Sequence, residues 1–135
     1  MKVLPKLKKY TITGASQDGG TFRIKGSGTL KLINHYITVG ESATFILDNI
    51  STLELEDNTA ITVENGGILE VPLNKTLKST KGTEDITVKD GGRIKNKGTI
   101  SISSGRKLVL EKGAITCGNR PSGTIEGTWT SGSCD

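Results

Sequence analysis

Few residues in this 135-residue sequence have the chemistry to act on a substrate: two acidic pairs, Glu56–Asp57 and Glu84–Asp85, one histidine (His35), one tryptophan (Trp129), and two cysteines (Cys117 and Cys134). Paired carboxylates can cleave glycosidic bonds, but only when a rigid face holds them at set separations. Neighbours in a turn do not meet that requirement, so both pairs read as solvated turn charges. A lone histidine builds neither a triad nor a histidine metal cluster, and His35 reads as a surface-turn residue. Calcium-repeat, zinc and nucleotide-loop spacings are absent. The expectation is a chain that is not an enzyme and uses no cofactor or metal.

The elements that position these residues follow from an internal repeat. "ITG" starts at Ile12, "ITV" at Ile37, Ile61 and Ile86, and "LVL" at Leu108. A second series runs "TFRI" from Thr21, "TFIL" from Thr44, "ILEV" from Ile68, "RIKN" from Arg93 and "AITC" from Ala114. A third runs "TLKL" from Thr29, "TLEL" from Thr52, "TLKS" from Thr76, "TISI" from Thr99 and "TIEG" from Thr124. Three interleaved series with a common period of about two dozen residues mean a solenoid. Each unit alternates with period two, which is strand and not helix. The fold class is therefore all-β, a parallel β-helix of about five coils of ~24 residues with three short strands per coil.

Alternation assigns the interior. The first strands point Ile12, Ile37, Ile61, Ile86 and Leu108 inward, and the second strands Phe22, Phe45, Leu69, Ile94 and Ile115, with Cys117 two residues on. The third strands supply Leu30, Leu53, Leu77, Ile100 and Ile125. Like stacks on like, because one coil cannot bury its own apolar face. Apolar residues are 33% of the chain and aromatics 4%, so the core is thin and aliphatic. Gly-containing corners at Asp18, Asn65, Asp90 and Glu111 separate first from second strands, where positive φ is needed.

Outward columns are where function would lie. The first strands show Thr13, Thr38, Thr62, Thr87 and Val109, a column without a carboxylate. The third strands show Thr29, Thr52, Thr76, Thr99 and Thr124, a possible ligand-facing array. Flat threonine arrays can order ice, but Lys31, Glu54, Lys78, Ser101 and Glu126 run beside this one and break the plane. Stacked threonines are also ordinary exposed strand residues. Lys31–Glu54–Lys78, Glu70–Lys95 and Glu64–Lys89–Glu111 alternate in sign between coils, which favours one register. The net charge of +4 comes without a basic helix or an aromatic stacking set, which excludes a nucleic-acid footprint. No run approaches the ~20 apolar residues of a membrane-spanning helix. The first ten residues have charge but no apolar h-region of a secretory signal.

"ITVENGGILEV" from Ile61 and "ITVKDGGRIKNKGTISI" from Ile86 resemble the passenger repeats of bacterial autotransporters and surface adhesins, within the single-chain right-handed parallel β-helix superfamily. The resemblance spans Tyr10 to Thr128; with the crossover rule it implies right-handed coils. It also implies a non-catalytic structural module of the cell exterior or surface, adhesive or filament-building, facing a glycan or host surface. The superfamily's tailspikes imply an alternative, a carbohydrate-binding recognition module. Its polysaccharide-degrading members carry aspartates on or beside the first-strand face, which this column lacks. Bactofilins are similar in architecture and imply an intracellular polymer.

The ends complete the expectations. Residues 1–9 form a cap or partial coil, with Val3 to Leu7 as a short strand that Pro5 stops; 10–128 form the β-helix; 129–135 are a C-terminal tail. Open ends expose strand edges and favour self-association. Trp129 either stacks on a sugar ring or seals the last coil. One further turn of ~24 residues returns the chain over Cys117 near position 141, close enough to Cys134 for a disulfide in an oxidising compartment. The alternative is a buried free thiol at Cys117 and an unrelated exposed one at Cys134.

Overall fold

The computed structural model describes residues 8–12, 20–25, 28–48 and 50–134; for 8–12 the description covers the backbone alone. The expected strand at Val3 to Leu7, the Thr13 position and the corner residue Asp18 lie outside the described residues. The first coil holds β1 (Lys8–Ile12), β2 (Thr21–Ile24) and β3 (Thr29–Ile33). The second holds β4 (His35–Val39), β5 (Thr44–Leu47) and β6 (Thr52–Glu56), and the third β7 (Ala60–Val63), β8 (Ile68–Val71) and β9 (Thr76–Ser79). The fourth holds β10 (Ile86–Val88), β11 (Arg93–Asn96) and β12 (Thr99–Ile102). After these come β13 (Leu108–Leu110), β14 (Ile115–Gly118) and β15 (Ile125–Glu126).

All pairings between these strands are parallel and join one coil to the next. The first sheet runs β1-β4-β7-β10-β13-β15, the second β2-β5-β8-β11-β14 and the third β3-β6-β9-β12. This is the expected all-β parallel solenoid with three strands per coil. Its central columns are as alternation predicts. Ile37, Ile61, Ile86 and Leu108 align in the first sheet, Phe45, Leu69 and Ile94 in the second, and Leu53, Leu77 and Ile100 in the third. All ten are buried, and each contributes about 1.5–3 kcal/mol of transfer free energy.

The corner between first and second sheets explains the register. The third residue after the last interior position of each first strand has positive φ: Ser42 (61°), Gly66 (83°), Gly91 (79°) and Gly113 (93°). These corners also stack. Ser42 N–H donates to Gly66 O at 3.1 Å, Gly66 to Gly91 at 3.0 Å and Gly91 to Gly113 at 3.0 Å. The spacing across the corner is thereby fixed at six residues, Val39 to Phe45, Val63 to Leu69, Val88 to Ile94 and Leu110 to Thr116.

That constraint corrects two expectations at the C-terminal end. Thr116, not Ile115, aligns with Ile94, and Cys117 aligns with Lys95 while remaining buried at 8% exposure. Ile115 shifts to the outer column above Arg93 and is 43% exposed. The fifth coil is also shorter than its predecessors. Register steps along the first sheet from Ile37 to Ile61, Ile86, Leu108 and Ile125 are 24, 25, 22 and 17 residues. Its third side shrinks to one bridge, Ser101 with Ser122, so Ile125 joins the first sheet over Leu108 and does not stack on Ile100. Four full coils are followed by one contracted coil. At the other end β1 is also offset. Tyr10 aligns with Ile37 and Thr11 with Thr38, so Ile12 lies against Val39.

Candidate functional site

On the outer face of the first sheet, Thr38, Thr62 and Thr87 align. At its margin Tyr36 is paired with Ala60, and the small alanine leaves a gap beside the ring. Glu84 and Asp85, just before β10, border the same gap. Together they line a cleft of about 280 Å³. The Tyr36 hydroxyl donates to the Glu84 carboxylate, and this bond, with burial and the negative charge, raises the phenol above its ordinary pKa. Asp85 Oδ1 accepts from Lys107 N–H at 3.1 Å. The two carboxylates are thus engaged with the protein. The column does carry a carboxylate, contrary to expectation, because β15 places Glu126 beside Val109. Lys107 Nζ donates to Glu126 Oε1 at 2.7 Å, which raises the lysine pKa.

In the other acidic pair Asp57 is exposed, as expected of a turn charge, but Glu56 is not. Glu56 closes β6 and is 6% exposed, held between Lys31 Nζ at 3.7 Å and Lys81 Nζ at 3.8 Å. Asp57 adopts a positive φ of 52° at the corner. Its carbonyl and those of Thr80 and Lys81 accept from Nη1 of Arg106, and Thr59 O accepts from Nη2. Arg106 is 1% exposed. Burial lowers its pKa, while Glu84, Asp85 and Asp57 oppose the shift. One guanidinium therefore clasps the corners of three coils. Sequence reasoning missed it, since an arginine in a turn carries no periodic signal. His35 is not a surface-turn residue: it opens β4, half-buried, just after the positive-φ corner at Asn34, with Nδ1 2.7 Å from Ile33 O. Among the described residues, no group of three or more His, Cys, Asp or Glu side chains is placed to hold a metal ion. None of their helices is long and apolar enough to cross a membrane.

The threonine array on the third sheet is real over Thr29, Thr52, Thr76 and Thr99. Thr124 is not in it, because the chain there has already turned toward the first sheet. Beside the array, Lys31 aligns with Glu54 and Glu54 with Lys78. Lys31 Nζ lies 3.9 Å from Glu54, a charge on the same face.

The two ends differ. At the C-terminal end Trp129 is 8% exposed and packs in the core cluster, so it seals the coil and presents no face for a sugar. Its indole N–H lies 3.1 Å from Ser131 Oγ and 3.4 Å from Gly118 O. Thr130 N–H donates to Thr116 Oγ1 at 2.8 Å, and that hydroxyl donates to Thr130 O at 2.9 Å. Gly118 N–H reaches Gly132 O at 2.9 Å. Cys117 and Cys134 lie at disulfide distance, Cα–Cα 5.1 Å, 17 residues apart. That separation equals the contracted step from Leu108 to Ile125, so Cys134 arrives one short coil above Cys117. Gly118, at φ 83°, packs tightly on both sides: a Cβ there would run into Asn96 O of the coil below and sit 3.2 Å from Cys134 Sγ. Closing a loop of this size contributes about 3 kcal/mol in the chain-entropy account.

At the N-terminal end an apolar opening of about 330 Å³ leads into the core, lined by Phe22, Leu30, Leu32, Ile37 and Phe45 among others. Phe22 stacks on Phe45 with centroids 5.5 Å apart yet remains 46% exposed, and Leu30 is 37% exposed. No family model matches the chain, and no curated protein or solved structure matches it.

Proposed function

We propose that this chain is a non-catalytic structural β-solenoid of the cell exterior, an adhesive module that joins a second body end-on. The unequal ends carry this reading. Phe22 and Leu30 stand open at the N-terminal end, whereas Trp129 and the Cys117–Cys134 pair cover the C-terminal end. Exposed edges with an apolar mouth favour association. The disulfide supports the exterior location. With one end covered, association stops at pairs and does not run on into filaments.

Light scattering of the non-reduced protein over a range of concentrations tests this. Concentration-dependent dimers that Leu30→Lys abolishes are expected; a monomer throughout would overturn the reading. The non-catalytic part is checked with acidic polysaccharides. Cleavage that disappears in Asp85→Asn would refute it.

A second reading, carbohydrate recognition, draws on the cleft of Tyr36, Glu84 and Asp85. An aromatic ring beside acceptors and threonine hydroxyls suits a neutral or basic sugar, and carboxylates at its rim disfavour an acidic one. Glycan-array binding lost in Tyr36→Ala supports this reading, and an array without signal removes it.

A further inference from the structure

Among the asparagines of the chain, Asn65 alone precedes a glycine. Glycine has no Cβ to hinder its backbone nitrogen, so this pair is the one most open to attack of that nitrogen on the preceding carboxamide. Asn65 and Gly66 are both exposed, at the corner between β7 and β8. The corner belongs to the third coil, in the middle of the solenoid.

The stack holds both reacting groups. Gly66 N–H donates to Gly91 O at 3.0 Å, and Gly66 O accepts from Ser42 N–H at 3.1 Å. The Asn65 carboxamide lies over Gly91 of the next coil, in the space that a Cβ there would need. The corners on either side are built alike, with Glu41 over Gly66 and Asp90 over Gly113. For the reaction, the Gly66 nitrogen must leave Gly91 O and the carboxamide must turn back from Gly91. The stacked corner permits neither, so attack waits for local opening. Asn65 also stands between Glu41 and Asp90, in a column whose backbones are ~4.8 Å apart. Lys89, one residue before Asp90, is already engaged with Glu64 at 3.9 Å.

We propose that Asn65 is a deamidation site that the intact corner stack keeps silent, and that its reaction hinders the corner from restacking. The Gly66 nitrogen forms a bond to Asn65 Cγ, the Cγ–Nδ2 bond breaks, and the Gly66 proton leaves with Nδ2 as ammonia. Water then opens the cyclic imide. Opening at Cγ leaves an aspartate. Opening at the backbone carbonyl carbon of residue 65 leaves an isoaspartate, in which the main chain runs through the side chain and is longer by an atom. The first product puts a carboxylate between two carboxylates, and like charges in adjacent positions repel. The second lengthens a corner whose fixed span from Val63 to Leu69 sets the register. A coil that has once opened thus keeps a covalent mark of it.

Peptide mapping by mass spectrometry follows the reaction, because both products are heavier than the asparagine peptide and chromatography separates them. The full chain, incubated at mildly alkaline pH, should deamidate at Asn65 at least about tenfold more slowly in buffer than in denaturant. The slowing should match the amide-exchange protection of Gly66 and not the larger protection of Leu53. Asn65→Asp should remain folded and speed exchange at Gly66 several-fold, and Glu41→Lys in that background should reverse the change. Equal rates in the folded and denatured chain overturn the protection. A denatured chain that does not react at Asn65 overturns the site. A slowing that follows Leu53 overturns the corner as the gate, since the whole stack would then have to unfold. Unchanged exchange at Gly66, in both Asn65→Asp and the purified isoaspartate product, overturns the effect on restacking.

Discussion

At its C-terminal end the solenoid contracts its last coil to 17 residues, turns Ile125 into the first sheet and lays Trp129 over the core. At its N-terminal end Phe22 and Leu30 remain exposed beside an apolar opening. The strands between are alike, so the difference is made by turns and tail. A coil of full length can only present another edge like the one before it. Shortening the coil brings chain across the opening, and a small residue such as Gly118 lets it come close. Sealing a stack therefore requires breaking the repeat that built it.

The comparison presupposes one continuous stack, and the largest effect tests that. Leu53 is fully buried in a central coil, and Leu53→Asp places an unpaired charge inside. Loss of the cooperative unfolding transition is expected. Glu54→Gln, on the outer face, should cost less than ~1 kcal/mol. A folded Leu53→Asp would invert every inward assignment and, with it, both descriptions of the ends.

Next in size is Arg106→Ala. It strips donors from the carbonyls of Asp57, Thr59, Thr80 and Lys81, and should cost about 3–5 kcal/mol by denaturant unfolding. Deleting an exposed turn arginine instead would cost almost nothing. A small value would mean that water replaces the guanidinium, and that the corner near the C-terminal half is no stiffer than the open end.

The ends themselves are compared by two deletions. Trp129→Ala should cost about 3 kcal/mol, whereas Phe22→Ala, at a half-exposed ring, should cost below ~1 kcal/mol. Equal costs would mean the ends are equally sealed in solution. Amide exchange at the strand edges would then show no asymmetry.

The central architecture was legible because alternation and a two-dozen-residue period are set by burial, which every coil repeats. The last coil was misread because "AITC" and "TIEG" look like their predecessors. The letters match, but the hydrogen-bonded corner counts six residues from Leu110 to Thr116, and that count was available in the sequence. The asparagines also carried a usable signal. Asn34 and Asn58 are 24 apart and hydrogen-bonded at 3.1 Å, and Asn96 Nδ2 reaches Asn119 O 23 residues on, at 2.8 Å. Neither Arg106 nor the Tyr36–Glu84 contact had such a signal. Both cross two coils from turns of unequal length, and a contact of that kind appears only once the coils are stacked.

The smallest expected effect lies on the side of the stack. Tyr36 in the second coil donates to Glu84 in the fourth, passing over Ala60. The bond holds the phenol pKa above its unfolded value near ~10, so the folded state favours the protonated ring. Its contribution is fully present below that unfolded value and is lost as pH rises through the folded pKa. Wild type should therefore lose its stability advantage over Tyr36→Phe between the two values. Glu84→Gln should bring the phenol back down, visible by phenolate absorbance against Tyr10, the only other tyrosine. If the two variants track wild type at every alkaline pH, the side contact does nothing for the stack. Stiffness along the solenoid would then come from the core columns and Arg106 alone, and the ends would differ only through the contracted coil and its tail.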